Sequence, residues 1–100
     1  MYKVQTHTLA ANELTELPDG LRGYMFRLIE RLECEGPLKM PHYLPVGWNV
    51  FELQVGKNNA WSVFGCVQGD NIYLLQVFSK SSKPTPAKAR KMAMLRVEDF

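Results

Sequence analysis

Between Ile72 and Phe78 the chain carries a single strongly polar side chain, Gln76, in seven residues. That run is far short of the ~18 apolar residues a membrane span requires, and it matches a strand buried on both faces. Such a strand needs neighbours in a sheet and covering layers above and below it. The preceding sequence supplies the neighbours. Gln68-Gly69-Asp70-Asn71 is a turn, Ala60 to Val67 a second strand, and Gly56-Lys57-Asn58-Asn59 a second turn. Trp48 to Val55 is a third strand, with Phe51, Leu53 and Val55 on one face and Val50, Glu52 and Gln54 on the other. Short turns between successive strands give an antiparallel meander.

The covering layers come from the two ends of the chain. Tyr2 to Thr8 alternates as a short strand, and Leu9 to Leu17 favours helix until Pro18-Asp19-Gly20 breaks it. From Asp19 to Glu35, the apolar residues Leu21, Tyr24, Met25, Leu28, Ile29 and Leu32 form one helical stripe. Asp19 is the expected cap and Gly36-Pro37 the stop. Residues 37–47, with Pro37, Pro41, Pro45 and Gly47, read as an extended connection. A last helix starts at Thr85-Pro86, with Thr85 as cap, and presents a narrow seam of Ala89, Met92, Ala93 and Val97. The order β-α-α-β-β-β-α predicts one α+β domain over residues 1–100, with helices packed on the sheet.

Composition narrows the function classes. The chain is 46% hydrophobic and 22% charged, which is globular usage and not that of a disordered or fibrous protein. Cys34 and Cys66 are too few for a disulfide scaffold and read as reduced thiols of a cytosolic protein, with a single bridge as the alternative. The start, Met1-Tyr2-Lys3-Val4-Gln5, lacks the apolar stretch of a secretory signal, so neither export nor a membrane is expected.

Net charge is only +2, but it is unevenly spread. Ser79 to Arg96 holds Lys80, Lys83, Lys88, Arg90, Lys91 and Arg96 with no acid. The block suits a polyanionic partner or a solvated loop and helix face. His7, His42 and the two cysteines lack metal-ligand spacing, so no metal is expected, and no glycine-rich phosphate loop occurs. What remains is cationic chemistry on a sheet. Lys57 in a turn, with Lys80 and Lys83 after the central strand, would flank outward positions Glu52, Gln54 and Ser62 and offset charge on a phosphodiester. Singly, each lysine reads equally as a solubilising surface residue.

Four stretches together resemble the RelE/ParE superfamily of bacterial toxins, in particular its phage-derived, HigB-like branch. They are Ala11-Asn12-Glu13-Leu14 through Leu17-Pro18 and Leu21; Leu32 through Gly36-Pro37-Leu38, Pro41 and Leu44; Gly47 to Gln54; and Phe78 to Pro86. The third is similar to the family's "GLWELR" strand and the fourth to its "F.KKT.KTP" segment.

The resemblance implies a RelE-like fold and a type II toxin that inhibits translation as a ribosome-dependent mRNA endoribonuclease. It implies a helix-turn-helix antitoxin of HigA type, and neither metal nor cofactor. A ribose 2′-hydroxyl would attack its own 3′ phosphate, which needs a base, cations for the phosphorane and an acid for the leaving oxygen. Lys57, Lys80 and Lys83 are the expected charge-stabilising residues, with Tyr73 or His42 for proton transfer. Lys80, Lys83, Lys88, Arg90 and Lys91 would bind RNA backbone. The exposed side of the helical pair, with Glu16, Arg22, Arg27 and Glu30, would face an antitoxin or simply solvent.

Gln54 and Ser62 stand where the family's pattern has arginines, and Ser81 where it has a second lysine. Loss of one such electrostatic group costs ~10²–10³ in rate. The same substitutions fit an alternative in which the fold binds a host protein such as gyrase, or another target of a phage-encoded interaction protein, without cutting RNA. Trp48, Trp61 and Phe64 would then be contact residues.

Overall fold

A computed structural model of the protein describes residues 1–40, 42–47, 49–82 and 86–100. Lys83, Thr85 and Trp48, and with them the expected cap of the last helix, lie outside the described residues.

Strand β1 (Lys3–Thr6) leads into helices α1 (Thr8–Thr15) and α2 (Asp19–Glu35). Strands β2 (Tyr43–Gly47), β3 (Val50–Val55), β4 (Trp61–Gln68) and β5 (Asn71–Ser79) follow, and helix α3 (Pro86–Val97) closes the chain. The sheet order is β1-β5-β4-β3-β2, so β5 is internal, as its apolar run requires. The α+β class and element order are those expected, with two additions. The proline-containing segment read as a connection folds at Tyr43–Gly47 into an edge strand paired with β3, where Pro45 is tolerated. Strand β1 joins β5 in parallel, completing five strands.

Each face of the sheet has its own core. Phe51, Leu53, Val55, Val63, Ile72 and Leu74 meet the α2 residues Met25, Leu28 and Leu32 on one face. Val50, Phe64, Cys66 and Leu75 meet Ala89 and Ala93 of α3 on the other. The α2 stripe thus packs as its spacing predicts. Asp19, expected as the cap, lies inside the first turn, where its charge suits the helix N-terminus, and Pro18 occupies the cap position without a side-chain bond. Gly36 ends α2 at φ 80°, and a Cβ there would lie 2.8 Å from the Tyr2 ring. On α3, Met92 is exposed despite its place in the expected seam, and Arg96 turns inward instead.

The strand pairing is irregular at one place. Phe64 lies opposite Gln76 and Gly65 opposite Leu74, so Leu75 is the extra residue of a β-bulge. Beyond Leu74, where the pairing with β1 stops, β5 would expose backbone groups. Glu13 of α1 accepts the Val77 N–H at 2.9 Å, and Arg96 of α3 donates to the Leu75 carbonyl at 2.9 Å.

Candidate functional site

The end of the sheet where β5 leaves and β3 turns into β4 gathers most of the expected site residues. Gly56, at φ 84°, admits the 3-10 turn Lys57–Asn59, in which Asn58 and Asn59 also take positive φ. Asparagine tolerates that region better than most side chains. The Ala60 N–H donates to the Lys57 carbonyl at 3.2 Å, and the Lys80 N–H donates to the Ala60 carbonyl at 2.8 Å. Two main-chain bonds therefore hold Lys57 and Lys80 at one rim. The Lys57 side chain is exposed and Lys80 is half-buried.

Gln54 and Ser62 lie opposite one another on β3 and β4, on the face that α3 covers in part. Their environments differ. Gln54 is half-buried, and its stretch of β3 with Val55 borders a cleft of about 360 Å³ that opens toward Leu21 and Tyr24 of α2 and is also lined by His42, Gly56 and Asn59. Ser62, expected to face outward, is fully buried, and its hydroxyl donates to Glu52 Oε2 at 2.5 Å. A side chain with no exposed surface cannot grip a phosphate as a surface arginine would. His42 sits at φ 56° on the cleft rim, and its carbonyl accepts the Gln54 N–H at 3.4 Å.

Tyr73 does not join this group. It lies opposite Cys66 near the start of β5, seven residues and roughly 20 Å of strand from Lys80. Its ring packs against Phe100 at 4.3 Å between centroids. Phe100 also meets His7 edge-on at 6.0 Å. The His7 Nδ1 accepts the Leu9 N–H, which puts the ring proton on Nε2, 2.6 Å from Asp99 Oδ2. These contacts tie the chain terminus to the start of α1.

Lys88, Arg90 and Lys91 are exposed on the first half of α3. Phe64 is buried against Phe78, with centroids 5.5 Å apart, and Trp61 packs on the α2 side of the sheet, so both are core residues. A groove of about 530 Å³ between α1 and α2 is lined by Ala11, Leu14, Met25, Phe26 and Ile29, with Arg22 at its edge. Phe26 is 70% exposed there. Cys34 is exposed and Cys66 buried, both as free thiols, so the single bridge does not form. Among the described residues no group of three or more His, Cys, Asp or Glu could hold a metal ion, and no helix is long and apolar enough to cross a membrane.

The residue sequence reasoning placed beside the site without a role is Glu52. Its signal was the alternation of β3, which puts it on the face of Gln54.

A family model described as Phage derived protein Gp49-like (DUF891) matches residues 12–98. The crystal structure of the isolated E. coli RelE toxin superposes with a TM-score of 0.65 at 8% sequence identity, covering 95% of this chain and 99% of that one. At that identity the likeness is one of fold. A search of curated proteins found no match.

Proposed function

From the premise that this chain belongs to the phage-derived Gp49-like family, a family of RelE/HigB-type toxins of toxin–antitoxin systems, we propose that it inhibits translation by cleaving mRNA on the ribosome. The supporting observation is the rim that Lys57 and Lys80 share, tied through Ala60 and set beside the polar strand positions Glu52, Gln54 and Ser62. Two ammonium groups at a strand end can offset the charge that develops on a phosphorane. Lys80 at the rim and the exposed Lys88, Arg90 and Lys91 of α3 would bind RNA backbone, together with Lys83, which falls between them in sequence.

In this reading the 2′-oxygen attacks the adjacent phosphorus and the bond to the 5′-oxygen breaks. A 2′,3′-cyclic phosphate and a free 5′-hydroxyl result, with no metal or cofactor taking part. Proton transfer falls to groups near the rim, and Tyr73, packed on Phe100, stands apart from it. A toxin of this kind is held inactive by an antitoxin, and we assign that partner to the helix-turn-helix class of HigA type.

The test is tightly induced expression in a bacterial host, with growth followed and 5′ ends of translated mRNAs mapped in the same cultures. Growth arrest with new cuts inside reading frames is the expected result. A second reading draws on the neutral, fully buried Ser62. Without a phosphate-gripping side chain on β4, the fold would act by binding a host protein such as gyrase. Arrest with intact mRNA and an induced DNA-damage response would favour that reading.

A further inference from the structure

The cleavage chemistry proposed above needs a proton acceptor at the attacking hydroxyl, and a charged lysine cannot supply one. Strand β3 carries one carboxylate, Glu52, which is half-buried on the α3 side of the sheet and opposite Phe64. Its one hydrogen-bond donor among the described residues is the Ser62 hydroxyl, at 2.5 Å from Oε2. No described cation is ion-paired with it.

These two facts act together. A short, charge-assisted O–H···O⁻ bond from a fully buried hydroxyl fixes the carboxylate's orientation. It uses one oxygen and leaves acceptor capacity on the other. A guanidinium at position 62 would neutralise Glu52 and weaken it as a base. Ser62 positions the carboxylate through a neutral donor, which stabilises the anion less than a guanidinium does. With serine at this position the carboxylate has a neutral hydrogen-bond partner and no ion-paired cation among the described residues. Glu52 lies opposite Phe64, four residues or roughly 13 Å of strand from Ala60, and its side chain reaches Ser62, two residues from the Ala60 carbonyl that accepts the Lys80 N–H.

We infer that Glu52 is the general base of the cleavage reaction, with Ser62 as its positioning residue; the inference rests on the nuclease reading. Glu52 takes the 2′-hydroxyl proton as the 2′-oxygen forms its bond to phosphorus. The phosphorus–5′-oxygen bond breaks, and the departing oxygen takes a proton from the lysine rim. Glu52, left as the neutral acid, returns its proton to solvent, and the lysine regains one.

The experiment measures single-turnover cleavage on purified bacterial ribosomes programmed with a defined mRNA. The wild-type chain is compared with Glu52→Gln, Glu52→Asp and Ser62→Ala across a range of pH. Glutamine keeps an acceptor for the Ser62 hydroxyl, and equal unfolding midpoints would verify that the fold is retained. Glu52→Gln should lose ~10²–10⁴-fold in rate at saturating ribosome with half-saturation unchanged. The pH profile of the rate should differ between the wild-type chain and Glu52→Gln. Glu52→Asp should retain more activity than Glu52→Gln, and Ser62→Ala should fall roughly tenfold, as the loss of one positioning bond does. Wild-type cleavage with Glu52→Gln within a few-fold and an unchanged pH profile would overturn the role of Glu52 while leaving the nuclease reading intact. A wild-type chain that cuts nothing would overturn both.

Discussion

Glu13 of α1 and Arg96 of α3, 83 residues apart, meet in a two-pronged ion pair with both bonds at 2.9 Å. The same two side chains hold the β5 bulge, Glu13 through the Val77 N–H and Arg96 through the Leu75 carbonyl. One pair therefore links both terminal helices to the internal strand. The Arg96 side chain is only 10% exposed. Removing Glu13 leaves the buried Arg96 charge and the Val77 N–H without that partner, and removing Arg96 leaves the half-buried Glu13 carboxylate and the Leu75 carbonyl without theirs. Glu13→Ala or Arg96→Ala should destabilise the protein by about 3 kcal/mol in denaturant unfolding. An apolar double replacement, Glu13→Leu with Arg96→Met, should not recover that loss, because the bulge backbone is still unsatisfied.

Gly65 lies opposite Phe51, and an added Cβ would come within 2.5 Å of the Phe51 ring. Phe51 is 1% exposed and cannot swing aside. Gly65→Ala should therefore cost about 1–3 kcal/mol through overpacking. Pairing it with Phe51→Leu should return part of the loss, read by the same unfolding midpoint.

Burial pushes the Cys66 thiol above its ordinary value of 9.0, outweighing the opposing hydrogen bond from Gln68. The native state thus keeps the thiol proton at a pH where the unfolded chain releases it. Fewer protons bound in the unfolded state means that stability falls as pH rises above about 9. Cys66→Ala should flatten that alkaline decline in unfolding experiments under reducing conditions. At neutral pH one thiol, the exposed Cys34, should react with an alkylating reagent in the native protein, and both should react after denaturation.

Lys80 is tied to the rim by a main-chain bond to the Ala60 carbonyl that truncation of its side chain leaves in place. On the nuclease reading, Lys80→Ala should reduce toxicity on induction by about 10²-fold with an unchanged unfolding midpoint. Undiminished toxicity would remove Lys80 from the site.

The sequence was most informative where period and composition act locally. The α2 stripe, the buried β5 run and the two turns of the meander all follow from neighbours in the chain. Strand β2 was illegible because its prolines argue against a strand, and only the edge position beside β3 makes them harmless. The partnership of Glu13 with Arg96 depends on a bulge that no periodicity announces. Its one trace was the position of Arg96 between Ala93 and Val97, nearer the middle of the buried stripe than exposed Met92. At the candidate site, the strand alternation placed Glu52, Gln54 and Ser62 on one face. The burial of Ser62 and its bond to Glu52 depend on neighbouring strands and were not readable in advance.

The most direct test of the central claim is the chemistry of the ends left on a defined mRNA after incubation with the purified protein and programmed bacterial ribosomes. Cuts that require the ribosome should leave a 2′,3′-cyclic phosphate upstream and a 5′-hydroxyl downstream. Intact mRNA from a folded protein that still arrests growth would contradict that claim and place the target among host proteins.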